Sequence, residues 1–368
     1  MEQQIPMVDL RAHFAPLRAE ILEGVGEILD QAGFILGAHG RSLEAELSEY
    51  LGVAHGVGCA SGTDALLLAL RALDIGPGDE VIVPTFTFIA TAEAVRYVGA
   101  TPVFADVDAE YFCVTAESVA PLISKRTRAI IPVHLYGQPA PMPELLQLAE
   151  QHGIPLIEDM AQAIGARFND QRVGSFGRLA CVSFFPSKNL GGAGDGGMVF
   201  TQDEALATRL RGLRNHGSWQ TYEHEVLGYN SRLDEIQALI LRKLFRQMDE
   251  YNAGRRRAAG LYDAALQDLS LQVPMRRAGA EHVFHQYTIQ IDERDALRAR
   301  LHAEKIGCGV YYPIPCHQQR AFADLAPSHC PVAERLKERV LSLPMFPELS
   351  SAQVERIAGV IRAHLQGG

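Results

Sequence analysis

Over the first fifty residues, apolar positions recur three and four apart. Leu17, Ile21, Val25, Ile28 and Leu29 mark one amphipathic helix that ends near Gly33 and Gly37; Leu43, Leu47, Tyr50 and Leu51 mark a second. Then the pattern changes to short β-rich runs alternating with helical ones. Strands are predicted over 80–84 (EVIVP), 101–107, 129–135 (AIIPVHL) and 155–158 (PLIE), with helices over 87–98, 117–123 and 143–152 between them. A small-residue strand passes through Ser61-Gly62-Thr63 into a helix carrying Leu66, Leu67, Leu70 and Leu73. Two more apolar strands, 180–185 and 198–201, enclose Lys188 and a glycine-rich turn over 191–197. This alternation predicts an α/β fold with a mostly parallel central sheet sandwiched by helices. Ligands in such sheets bind beyond the carboxyl ends of the strands.

The second part of the chain reads differently. A helix over 203–214 precedes a polar, aromatic loop, HGSWQTYEHEVLGYNSRLD, and a long helix over 233–251 leads into a basic stretch. Arg255, Arg256 and Arg257 read as a solvated helix face. The alternation over 285–291 predicts an antiparallel strand with one wet face. A helix over 295–305, a strand over 309–312 and a final helix over 354–365 complete a smaller C-terminal α+β domain. The expected division is a large domain over 1–250 and a small one over 251–368, with the N-terminal segment a candidate to pack on the small domain.

Composition narrows the function classes. A net charge of −10 argues against a broad nucleic-acid-binding surface, leaving room only for a local basic pocket. No apolar run approaches the roughly 18–20 residues that span a bilayer, and the first residues carry no secretory pattern, so no membrane partner is expected. Cysteines 59, 113, 181, 308, 316 and 330 are scattered without a CxxC pair. That spacing argues against a metal site or a disulfide framework and fits a reducing cytoplasm.

Several residues carry candidate chemistry, each with a plainer reading beside it. Lys188 is either a surface lysine in a glycine loop or an amine that meets a flat cofactor. Ser61-Gly62-Thr63, opening a helix after a strand, suits a phosphate as well as it suits simple capping. Glu158-Asp159 ends a strand, where a carboxylate can hold a protonated pyridine nitrogen or merely close the strand. Gln162 reaches a ligand or faces solvent; Phe88 stacks on a ring or belongs to the core. Ser183 serves a phosphate or bonds the backbone, and His317 alone is more often structural. Asn230 falls in a turn, Gly-Tyr-Asn-Ser-Arg, before a helix.

As an ordered set these residues resemble the DegT/StrS family of pyridoxal-phosphate-dependent sugar aminotransferases, of the fold-type-I superfamily. The resemblance runs through SGTDAL (61–66), GDEVIVPTFTFIATAEAV (78–95), IPVHLYGQPA (131–140), IEDMAQAIGA (157–166), SFFPSKNLGGAGDGG (183–197), GYNSRLDEIQA (228–238) and YYPIPCHQQ (311–319). It implies Lys188 as Schiff-base lysine and proton shuttle and Asp159 as pyridinium partner. It also implies Gln162 beside the ring hydroxyl, Phe88 stacked on the ring, and Gly62, Thr63 and Ser183 at the phosphate. Asn230 would reach the phosphate of a neighbouring subunit, making a homodimer the functional unit. Tyr312 and His317 would shape the sugar pocket. Met160 and Cys316 depart from the family's usual residues. Lysine at 188, where the family's dehydratases carry histidine, favours transamination. The implied reaction moves an amino group from L-glutamate to a nucleotide-linked keto sugar, with carbon 3 favoured. A 4-keto sugar or a keto-cyclitol is the alternative substrate, and a non-catalytic regulatory relative is the rival class.

Overall fold

In the computed structural model, which describes residues 4–220 and 222–366, seven strands form one sheet built in two parts. His55–Cys59, Gly197–Thr201, Leu179–Ser183 and Ile157–Asp159 lie side by side in that order. Thr101–Ala105, Glu80–Pro84 and Thr127–Ile130 form the second part. Parallel bridges Ile130 to Leu156 and Val133 to Asp159 join the two. Within this sheet Gly197–Thr201 runs antiparallel to both neighbours, and the other pairings are parallel. The predicted α/β architecture is therefore the observed one. Near-continuous apolar strands such as Glu80–Pro84, buried at every position, are what a sheet covered on both faces requires.

Element edges shift by a few residues from the pattern. The segment 87–98 yields a helix only from Ala90 to Tyr97, because the chain before it turns at a strand end. The long helix expected over 233–251 is two helices, Glu235–Phe245 and Met248–Leu266, and the basic stretch continues the second. Gly309 contributes an isolated bridge to Ser342 instead of a strand.

Two expectations fail for a common reason. Tyr287–Gln290 pairs antiparallel with Val340–Leu343 as predicted, but all four residues are buried. Its polar side chains are satisfied internally: Thr288 Oγ1 lies 2.8 Å from Ser342 Oγ, and Gln290 Nε2 donates to the Ala109 carbonyl at 2.9 Å. Likewise Arg255 is 4 % exposed, not solvated, and its Nη1 donates to the carbonyls of Phe284, His285 and Met345. A polar residue reads as surface in a sequence, yet burial is tolerated once its groups have partners.

Packing joins distant parts of the chain. Ile5 shares a core with Tyr262, Tyr287, Leu301 and Ile357, and its backbone bonds Lys305 and Gly307. Cys316, Phe322, Cys330 and Leu336 share a core with residues of both parts of the sheet, among them Phe104 and Val57.

Candidate active site

The sheet order brings the predicted residues together. Gly197 stands opposite Cys59 on one side and Ser183 on the other, so the helix after the first strand starts beside Ser183. The approach is tight: a Cβ on Gly62 would sit 2.5 Å from Ser183 Cβ, and one on Gly197 would sit 2.2 Å from the Ser61 carbonyl oxygen. Only glycine permits this contact. The helix Gly62–Ala72 is capped by Ser61 Oγ, which accepts from Asp64 N at 3.0 Å. Its first N–H groups, on Gly62 and Thr63, have no intrahelical acceptor and carry the positive end of the helix dipole.

Asp159 ends the neighbouring strand, in parallel register with Cys181. Lys188 follows five residues after Ser183, in a turn closed by Lys188 N donating to the Phe185 carbonyl at 2.8 Å. A cavity of about 490 Å³ holds Lys188, Asp159, Gln162 and Tyr312, together with Gly62, Thr63, Ser183 and Phe88. Phe88 is 54 % exposed and so belongs to the cavity wall, not the core. Its ring lies 6.1 Å from that of Tyr312. Gln162 is held at both ends, accepting from Tyr136 N at 2.7 Å and donating to Tyr312 Oη at 3.1 Å.

Two predicted residues lie elsewhere. His317 is absent from the cavity lining and bonds Thr85 Oγ1 and Glu334 Oε1 through its two ring nitrogens. Asn230 is exposed, in a bridge with Asn215, and does not line the cavity of its own subunit. Sequence reasoning also missed residues that do belong: Thr91, Asp195, His285 and Gln286. Thr91 is the informative one, because its Oγ1 donates to Asp159 Oδ2 at 2.8 Å. Thr85, Thr87 and Thr91 crowd the stretch between the strand end and the helix, and nothing in their spacing singles out the last.

Electrostatics ties the pair at the centre together. Burial lowers the Lys188 amine from 10.5 to about 8, against the opposing pull of the Asp159 charge. Burial also raises the Asp159 carboxyl, while Thr91, the Ala161 N–H and Lys188 draw it back toward the ionised form. The residues fit pyridoxal phosphate on these grounds: an amine whose pKa burial lowers to about 8, a buried carboxylate with a lone pair to spare, an exposed aromatic face, and a glycine-lined helix start beside a serine. Among the described residues there is no group of three or more histidines, cysteines or acids that could hold a metal, and no helix long and apolar enough to cross a membrane.

Comparison with known proteins agrees with this geometry. The DegT/DnrJ/EryC1/StrS aminotransferase family matches residues 16–362. A UDP-N-acetyl-3-dehydro-alpha-D-glucosamine 3-aminotransferase of Acidithiobacillus ferrooxidans is 68% identical over 99% of this chain and 98% of its own. A UDP-2-acetamido-2-deoxy-3-oxo-D-glucuronate aminotransferase of Pseudomonas aeruginosa is 40% identical over 97% of this chain and 99% of its own. The crystal structure of S. venezuelae DesV in complex with a ketimine intermediate superposes with a TM-score of 0.97 at 43% identity, covering 99% of each chain. This chain belongs to the DegT/DnrJ/EryC1/StrS aminotransferase family.

Proposed function

We propose that this protein is a pyridoxal-phosphate-dependent aminotransferase that aminates carbon 3 of a UDP-linked 2-acetamido-3-keto sugar, with L-glutamate as donor. The observation that carries the reading is the meeting of Lys188, Asp159 and the open helix start at Gly62 in one cavity. The sugar class follows the two relatives whose names give a 3-keto, N-acetylated UDP sugar as substrate.

Pyridoxal phosphate, when bound, supplies an aldehyde that takes up an amino group and a ring that spreads the charge left on the adjacent carbon. Gly62 N, Thr63 and Ser183 would bind its phosphate, and Phe88 would cover the ring. Asp159 would keep the ring nitrogen protonated; Thr91 Oγ1 and Ala161 N leave that carboxylate oriented toward the cavity. Lys188 is the amine that would anchor the cofactor. Burial lowers the pKa of its Nζ to about 8, so the amine would serve as the base that takes and returns a proton at the donor's α-carbon. With the keto sugar, the same Nζ would deliver a proton to carbon 3, the position that receives the amino group.

A homodimer completes the reading. Asn230 is exposed outside its own cavity, which supports a role at a partner's phosphate. Phe185, Tyr222 and Leu227 expose apolar surface that a second copy would cover. A cytoplasmic setting agrees with six free cysteines.

Absorbance of the protein with added pyridoxal phosphate tests the assignment. The Schiff-base band is expected in the wild type and absent in Lys188→Ala; a band unchanged in the variant would sink it. Turnover with glutamate against UDP-linked 3-keto and 4-keto sugars and a keto-cyclitol decides the substrate, and preference for either of the last two overturns the carbon-3 reading.

A further inference from the structure

Lys188 is followed by Asn189, which is 4 % exposed and lies in a buried chain of amides. Asn189 Nδ2 donates to the Val283 carbonyl at 3.1 Å and to Asn252 Oδ1 at 2.8 Å. Asn252 Nδ2 donates in turn to the Ile164 carbonyl at 3.1 Å. Backbone carbonyls only accept, so both amides are fixed in orientation. Asn189 Oδ1 is thereby an acceptor, and it lies 3.2 Å from His285 Nδ1. The imidazole hydrogen must sit on Nδ1, which leaves Nε2 with a bare lone pair.

Two other buried histidines are arranged the opposite way. His134 and His282 each accept at Nδ1 from a backbone N–H, of Ala140 at 3.0 Å and Phe284 at 2.9 Å. His285 alone of the three presents an unprotonated Nε2, and it lines the cavity that holds Lys188 and Asp159. Burial, the Lys188 charge and the Arg255 guanidinium hold its pKa well below the usual histidine value, so the ring stays neutral. Asp159 acts on the lysine through its charge and not through a hydrogen bond. The cavity that holds the Lys188 amine thus presents a neutral, pre-oriented acceptor at His285 Nε2.

We propose that His285 is a positioning residue for Lys188: its Nε2 accepts a hydrogen bond from the lysine amine when that amine is free, and so aims the Nζ lone pair into the cavity. Asn189 and Asn252 set the tautomer that makes this possible. The inference rests on Lys188 being the reacting amine.

The test reads Lys188 in the apoprotein. Formaldehyde and borohydride methylate it at about pH 9.5, above its pKa of about 8, so that the amine is neutral in every protein compared. Peptide mass spectrometry gives the Lys188 rate relative to Lys125 and Lys305. His285→Phe should slow Lys188 about tenfold, while His285→Gln, whose amide oxygen replaces the Nε2 acceptor, should stay within about threefold of wild type. A loss of packing alone would affect both variants alike. Nitrogen-15 spectra of histidine-labelled wild type should show His285 Nε2 unprotonated. Methylation of His285→Phe at the wild-type rate, equal slowing in both variants, or a protonated Nε2 overturns the proposal. Persistence of the Schiff-base band in Lys188→Ala would instead sink the underlying reading, so the two failures are distinguishable.

Discussion

Replacing Lys188 with methionine should make the apoprotein more stable at neutral pH, and the gain should disappear in alkali. Burial lowers the amine from 10.5 to about 8, with Asp159 recovering only part of the loss. At about 1.4 kcal/mol per unit, carrying the ammonium ion costs the folded state up to about 3 kcal/mol. Lys188 is only half-buried where it faces the cavity, so solvent screening makes this an upper value. The sign follows from the order of the two pKa values. Below about pH 8 the lysine is charged in both folded and unfolded chains, and the whole penalty applies. Between about 8 and 10.5 the folded protein releases its proton while the unfolded chain keeps it, so stability rises with pH. Methionine nearly matches the length of the side chain and carries no charge. Urea unfolding of both proteins at one concentration across this range measures the difference directly. An advantage for Lys188→Met of up to about 3 kcal/mol at pH 7 that shrinks toward pH 10.5 is expected. A difference that stays flat with pH, or a less stable variant at pH 7, would refute the reasoning.

Three further outcomes follow from the site. Thr91→Val removes the 2.8 Å donor to Asp159 and should cost about 1–3 kcal/mol in thermal unfolding, with weaker cofactor binding by absorbance titration. Gly62→Ala forces a Cβ to 2.5 Å from Ser183 Cβ; it should lower affinity for pyridoxal phosphate at least about tenfold while barely changing that for pyridoxal, which lacks the phosphate. Glu158→Gln sets an amide N–H against backbone donors and should destabilise by about 3 kcal/mol or more, read as a fall in melting temperature.

What the sequence made legible was the part written in periodicity. Runs such as EVIVP and PLIED gave the strands, and the strand ends gave Asp159, Ser183 and Lys188, since a parallel sheet gathers such ends on one side. Residues whose role depends on a distant partner were hidden. Thr91 is one of several threonines in its stretch, and only the fold shows which one meets Asp159, 68 positions on. Arg255 looked like its neighbours Arg256 and Arg257, yet it alone lies among three carbonyls. His285 and Asn189 are 96 positions apart, so no local pattern could couple them. His317 stood out as a motif residue, but its two nitrogens are engaged by Thr85 and Glu334.

The adjacent acids Glu158 and Asp159 show how the same chemistry is divided by a strand. Successive side chains point to opposite faces, so the pair cannot share a role. Glu158, fully buried, accepts from Gly174 N at 2.7 Å, Phe176 N at 2.8 Å, Gly177 N at 2.7 Å and His134 Nε2 at 3.0 Å. All its lone-pair directions are used, and it ties the segment after the strand to the sheet. Among the described residues Asp159 receives only Thr91 Oγ1 and Ala161 N at its side chain, and it keeps acceptor capacity facing the cavity. The difference in donors, not in residue type, separates a structural carboxylate from one available to a ligand. It also explains why burial raises the Asp159 carboxyl without neutralising its influence on Lys188: the two donors and the amine compensate part of the desolvation. The acceptor capacity that Asp159 keeps is what a protonated pyridine nitrogen, with its charge and single N–H, would use.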